Sequence, residues 1–287
     1  MPVSTSLSSH FPLGLEHRTA CLRTAAWFIV PVPVQSVQSI VPYPLITPPF
    51  SDPSLFPKPF PANTHPVLVT AGFLNDIRQF SLQIQSLLSA SIVIPFTDRL
   101  KDGKTPFSYP VRNFIGGVNG RDVNAVVPTL VGTAQGTNIF VASFTPNDAP
   151  YGALASDPNE FVAQVRQVIL PNPLSGPGIA PAAVDLNFVS ASEPQYTERT
   201  FRALINQPSI LTNTKCQRNM YYFNQTFSDP VLRTGTATLY GPARGGVLPA
   251  ALDKRYEGQG GLSASSVTVG FNVEDCEVAA ANIDPNA

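Results

Sequence analysis

Apolar and polar positions alternate in short runs along most of this chain, the period of two that sends successive side chains to opposite faces of a strand. Such runs stand at PVLVTAGFL, QIQSLLSASIVIPF, FSYPVRNFIGG, VNAVVPTLVGT and NIFVASF in the first half, and at VDLNFVSAS, YYFNQTF, TGTATLYGP and SSVTVGFNV in the second. Turn signals separate them, Lys101-Asp102-Gly103-Lys104 and Asn119-Gly120 among them, so the first half reads as an antiparallel meander. EFVAQVRQVILPNP fits a strand or a helix, and TERTFRALINQ suits a helix. With no internal repeat and no clean linker, one domain is expected over residues 21–287, behind an N-terminal tail at 1–20.

The segment LRTAAWFIVPVPVQSVQSIVPYPL, 22 to 45, has another pattern. Arg23 opens an extended run to Val34 in which Pro31 and Pro33 bar a helix interior and argue for an edge strand. Val34, Val37, Ile40 and Val41 then recur at spacings of three and four, which predicts a short amphipathic helix stopped by Pro42 and Pro44. From 46 to 66 the chain is too proline-dense for regular structure. It reads as a long surface loop or a pocket cover carrying Phe50, Phe56 and Phe60.

Composition narrows the fold class. Thirty prolines and 19 glycines against 13% charged residues favour short strands over long helices, and 43% hydrophobic residues supply a sizeable core. The expected architecture is a β-rich barrel or sandwich.

Charge and motifs exclude several functions. A formal charge of −1 without a run of lysine or arginine leaves no electrostatic footprint for nucleic acid or an anionic membrane. No uninterrupted stretch of about 18 apolar residues exists, so no transmembrane helix is expected. The low charge and apolar balance are compatible with a homodimer. There is no P-loop, no dinucleotide fingerprint and no G-x-S-x-G elbow, and the three histidines, His10, His17 and His65, lie in the tail or the proline-rich loop. No cofactor is expected.

Cys21, Cys216 and Cys276 lack metal-ligand spacing. Cys216 and Cys276 are candidates for a disulfide, which leaves Cys21 as a buried thiol. Asn224-Gln225-Thr226 is a glycosylation sequon, and with a disulfide it would suit an endomembrane or secreted protein. The opening MPVSTSLSSHFPLGLEH has no basic segment followed by an apolar one, so as written it is not a secretory signal.

Arg23 followed by TAAWFIVPVPVQSVQSIVPYPL resembles the opening of acetoacetate decarboxylase-like proteins, nearest to a divergent fungal branch. The resemblance continues through SASIVIPF, AVVPTLVGT, NIFVASF and QVILPNPLSGPG. It implies a β-rich α+β fold, a closed antiparallel β-barrel or cone with a few short helices and an internal pocket. There, in that family, a lysine forms a Schiff base with a β-keto acid beside an arginine and a glutamate. The arginine maps onto Arg23 and the glutamate, five residues before Ile94-Pro95, onto Ser89. The lysine position falls on Ala142, which has no amine, and no lysine lies between Lys104 and Lys215. Schiff-base decarboxylation is therefore not expected.

An enclosed pocket without its nucleophile retains shape, hydrogen-bond donors and exclusion of water, which suffice for an intrinsically reactive substrate. The expectation is a small-molecule enzyme of specialised metabolism acting on an apolar polyketide or terpenoid-like substrate, a cyclase or pericyclase of the hetero-Diels–Alder kind. Arg23 would polarise a carbonyl or bind an oxygen anion, and Trp27, Tyr109 and Tyr151 would line the cavity with Ser89 and Ala142. Two alternatives stay open: a lipocalin-like carrier, and a decarboxylase or other lyase using Lys104 or Glu198.

Overall fold

The computed structural model describes residues 19–79, 82–169 and 178–287. His10 and His17 lie outside the described residues. Strand β1 (Thr19–Pro33) opens the fold, and its alternation gives it two apolar faces. Ala26, Phe28, Val30 and Val32 belong to one core cluster, Ala25, Trp27 and Ile29 to another. Helix α1 (Val34–Gln38) follows, and then an irregular segment leads into β2 (Thr64–Gln79), β3 (Leu82–Thr97) and β4 (Phe107–Gly117). These four strands form the expected meander, each antiparallel to the next.

Helix α2 (Val126–Ala134) comes next, then β5 (Ile139–Thr145), β6 (Gly152–Ala153), β7 (Phe161–Gln167) and β8 (Ala182–Ser190). Helix α3 (Glu198–Ile205) leads to the short strands β9 (Ser209–Ile210), β10 (Cys216–Gln217) and β11 (Asn219–Tyr222). The chain finishes with β12 (Val231–Leu239), β13 (Lys254–Gly270) and helix α4 (Cys276–Ala281). The order β4-β3-β2-β1-β13-β12-β8-β7-β5 returns to β4 and closes a nine-stranded barrel.

The closing junction, Asn113–Ile115 against Ile139–Val141, is parallel, which amends the antiparallel barrel expected from the sequence. A parallel pair needs a crossover connection. VNAVVPTLVGT supplies it, forming 3-10 turns and α2 where its apolar pattern predicts a strand. Pro128 sits in the first turn of α2, where a helix needs no N–H from it.

β1 is not an edge strand over most of its length. It pairs with β2 on one side and with β13 on the other, but the β13 pairing ends at Phe28↔Gly261. Pro31 and Pro33 lie beyond that point, where one edge of β1 is free and a missing N–H costs no ladder bond.

The barrel lumen is packed by one face of all nine strands, Phe28, Phe114, Phe188 and Tyr256 among the large side chains. On the outer face, α3 buries Phe201, Leu204 and Ile205 against Trp27 and its neighbours. Thr197 caps α3 and exchanges hydrogen bonds with Thr200. Phe50, Phe56 and Phe60 of the proline-rich segment pack on one another and on Tyr196, with Phe50 and Phe60 stacked at 4.7 Å. They hold the segment to the wall.

Cys216 and Cys276 are joined, Cα–Cα 4.9 Å, and Cys21 is a buried free thiol whose burial pushes its pKa up to about 11. Asn224 is exposed. The disulfide closes a loop of 60 residues. Chain entropy then predicts that Cys216→Ser with Cys276→Ser lowers stability by about 4 kcal/mol, measured by denaturant unfolding under non-reducing conditions.

His65 accepts no charge easily: burial lowers its pKa from the ordinary value near 6.5, while its ring nitrogen lies 2.7 Å from the Pro95 carbonyl and ties β2 to the end of β3. A depressed native pKa means that the unfolded chain takes up the proton first. Stability is therefore expected to be intact above about pH 6.5 and to fall as pH drops from there toward the native pKa, a loss that equilibrium unfolding of His65→Gln should no longer show.

Candidate functional site

The side chains that leave the lumen along β1–β4 face a space roofed by α3 and flanked by β11, which pairs with β13. Arg23, Trp27, Leu68 and Thr70 form part of its floor, with Ser89, Ser91 and Asn113 from the next strands and Leu204, Ile205 and Tyr221 above. The cleft is about 230 Å³. It therefore lies on the outer face of the barrel wall and not in the lumen. Asn206 holds the roof in place by accepting from the Tyr221 N–H at 2.8 Å and donating to the Tyr221 carbonyl at 3.3 Å.

Arg23 is only 8% exposed. Its Nη2 donates to Thr70 Oγ1 at 3.3 Å and its Nη1 to Tyr221 Oη at 3.4 Å, both long, and the guanidinium lies 5.6 Å from the Tyr221 ring centroid. Among the described residues no carboxylate lies within ion-pair distance of it, and its Nε is buried without any partner. A buried cation with only neutral partners carries an uncompensated desolvation cost.

The room for this arrangement comes from Gly72. Gly72 pairs with Ala25 on β1 and with Ser89 on β3, and a Cβ there would stand 2.8 Å from the Ala25 Cβ and 3.3 Å from Arg23 Nε. Ser89 Oγ is likewise buried and unpartnered. Two unsatisfied polar atoms from neighbouring strands thus flank a residue with no side chain, in a cleft lined by hydroxyls and apolar groups. Among the described residues no aspartate, glutamate, histidine, lysine or cysteine lines it. Such a site can hold and polarise an oxygen atom, but it offers no carboxylate or imidazole to shuttle a proton.

The structure brings Arg23, Trp27 and Ser89 together in this cleft. Tyr109 lines a neighbouring cleft, where burial and then Tyr43 raise its pKa. Ala142 is fully buried on the lumen side of the wall, and Tyr151 packs there on Phe161 and Phe188. Neither Lys104 nor Glu198 lines a cleft.

Thr70, Gly72 and Tyr221 escape the sequence reading. The isolated glycine in PVLVTAGFL is the one local signal, because a glycine within a strand marks a close approach. Tyr221-Tyr222-Phe223 reads as core, and only the pairing of β11 with β13, Tyr221 opposite Thr268, brings the Tyr221 hydroxyl within reach of Arg23.

No protein-family model matches the chain, and no curated protein matches it in sequence. Solved structures do resemble it. The enduracididine biosynthesis enzyme MppR, with HEPES buffer bound, superposes at TM-score 0.50 and 9% identity over 95% of this chain and 92% of that one. The fold is that of acetoacetate decarboxylase-like enzymes. One such enzyme, from Sphingomonas wittichii RW1, gives TM-score 0.47 at 7% identity over 96% of this chain and 98% of its own. Acetoacetate decarboxylase gives 0.43 at 10% identity over 95% and 92%. At these identities the likeness is one of fold.

The electrostatics make a prediction opposite to that for a structural arginine. Arg23→Met is expected to leave stability unchanged or raise it by about 1 kcal/mol, because an apolar side chain replaces an unpaired buried cation. Arg218→Met, which strands Glu274 after loss of a 2.6 Å ion pair, is expected to cost about 1–3 kcal/mol. Urea unfolding of the two variants checks the contrast.

Proposed function

We propose that this protein is a small-molecule enzyme that binds an apolar, carbonyl-bearing substrate in the outer-wall cleft and promotes its cyclisation. The single observation that carries the reading is Arg23: buried, without a carboxylate partner among the described residues, and with Nε unpartnered in a cleft that also holds the unpartnered Ser89 Oγ. A protein that keeps such a cation against its desolvation cost has a use for it when a ligand oxygen arrives.

The lining residues then limit the reaction type. Among the described residues no lysine lines the cleft, which supports chemistry without a Schiff base. A cycloaddition needs no nucleophile and no net proton transfer, since two σ bonds form at the expense of two π bonds. What it requires is a held geometry and polarisation of one partner. In a hetero-Diels–Alder reaction of a polyketide or terpenoid-like substrate, Arg23 and Tyr221 would hydrogen-bond the carbonyl or quinone-methide oxygen, and Trp27, Leu68, Leu204 and Ile205 would confine the carbon skeleton. The resemblance in fold to a biosynthetic enzyme supports the enzymatic reading.

The test is native mass spectrometry of the protein after exposure to an extract of its source organism, beside Arg23→Ala, with released compounds analysed by liquid chromatography. A bound compound is expected to emerge chemically changed from the wild type, with turnover about 100-fold slower in the variant. A compound that emerges unchanged from both would make the protein a carrier. A covalent adduct trapped on a lysine by borohydride would return it to decarboxylase chemistry.

A further inference from the structure

A second cleft of about 250 Å³ adjoins the first and shares two of its wall residues, Pro110 and Thr137. Its other walls include Pro42, Tyr43, Tyr109, Ile210 and Leu211. We propose that this cleft is a binding subsite for an aromatic ring carried by the same ligand whose oxygen Arg23 holds, so that the two clefts form one bipartite site. The inference rests on the reading of Arg23 as the polar anchor.

The lining chemistry selects the ligand class. Two tyrosines, two prolines and two branched aliphatic residues offer apolar surfaces, and among the described residues no aspartate, glutamate, lysine or arginine lines the space. Aromatic faces and proline rings pack best on a planar ring. A cavity of about 150 Å³ is enough to take up benzene, so the volume here accommodates a substituted ring.

The cleft is also built to keep its shape. The Arg99 guanidinium stacks on the Tyr43 ring at 5.1 Å and donates to the Thr214 carbonyl at 2.9 Å. Tyr43 and Tyr109 pack on Phe107, Ile210 and the Cys216–Cys276 pair, which anchors this wall covalently. The partition is pinned as well: Asn138 Nδ2 donates to the Val111 carbonyl at 2.6 Å, and the Asn138 carbonyl accepts the Asn113 N–H at 2.9 Å and Asn113 Nδ2 at 3.2 Å. Those bonds fix Thr137 and Pro110 in the wall that the two clefts share, the neck through which the ligand would pass. A ligand with its oxygen at Arg23 and a chain through the neck would lay its ring against Tyr109.

Trp27 is the chain's only tryptophan and lines the first cleft, so its fluorescence reports occupancy there. The probes are 2-oxobutanoate and a series of 2-oxo acids ending in a phenyl group on chains of increasing length. Burying the ring is expected to make the best-fitting phenyl acid roughly 10- to 100-fold tighter than 2-oxobutanoate. Thr137→Phe, which fills the neck, is expected to erase that advantage, the phenyl acids binding this variant no more tightly than 2-oxobutanoate does. Tyr109→Leu, which keeps bulk but removes the ring, should cut the advantage roughly 2- to 10-fold. Arg23→Ala should weaken every probe.

If all chain lengths bind the wild type equally while Arg23→Ala still weakens them, the second subsite is overturned and the Arg23 reading stands. If Arg23→Ala leaves affinity untouched, the Arg23 reading falls. A phenyl advantage that survives both Thr137→Phe and Tyr109→Leu, with their melting curves native-like, also overturns the subsite. Silence of Trp27 toward every acid counts against both.

Discussion

A parallel pairing of three residues, Asn113–Ile115 on β4 with Ile139–Val141 on β5, turns an open sheet into a barrel, and the rest of the architecture depends on it. Closure gives each strand an inside and an outside. The inside is filled by buried aromatic and branched side chains, so it holds the fold together. The outside of β1–β4 then has to be covered by something else. Helix α3 and the phenylalanine-bearing proline segment do so, and the cleft forms between α3 and the wall, with Tyr221 of β11, a short strand paired to β13, on its flank.

The strand that begins the fold shows how one segment serves both faces. Even-numbered positions of β1 from Ala26 to Val32 support the barrel, while Arg23 and Trp27 face the cleft. Changing the register by one residue would exchange the two sets and place a guanidinium in the lumen. Packing of the lumen therefore fixes the orientation of Arg23 as firmly as any contact Arg23 makes itself. Its own contacts are weak: two long hydrogen bonds to neutral hydroxyls and an edge over a tyrosine ring. An arginine held in place by its strand, and not by a counterion, retains most of its electrostatic potential for a ligand. The same economy appears at Gly72 and Ser89, where a missing side chain and an unpartnered hydroxyl leave space and hydrogen-bonding capacity beside it.

Much of the strand order was legible because a period of two survives wherever one face of a strand is buried. Strands β2, β3, β4, β5, β8 and β12 all overlap runs that alternate in this way. The pattern misleads at VNAVVPTLVGT, since β-branched residues alternate there too, yet the segment is a helix with Val127 and Leu130 largely exposed. Nothing local distinguishes it from a strand; the demand for a crossover to a parallel partner does. Strand β13 is longer than its apolar core because glycines and serines between Gly258 and Ser266 carry no hydrophobic period, although the ladder runs through them.

The sequence by itself determined the β-rich class, the turns, the short helix after β1, and the presence of a lone arginine and tryptophan at the head of an apolar strand. These depend on local propensity and on which residues can be buried, and neighbouring positions suffice to state them. Tertiary structure alone decided that Ala142 and Tyr151 face the lumen while Arg23, Trp27 and Ser89 share the outer cleft, and that Thr70, Gly72 and Tyr221 complete their surroundings. Each of those facts depends on strand register and on the direction in which the barrel closes. Both arise from contacts between segments far apart in the chain, so no window of sequence contains them.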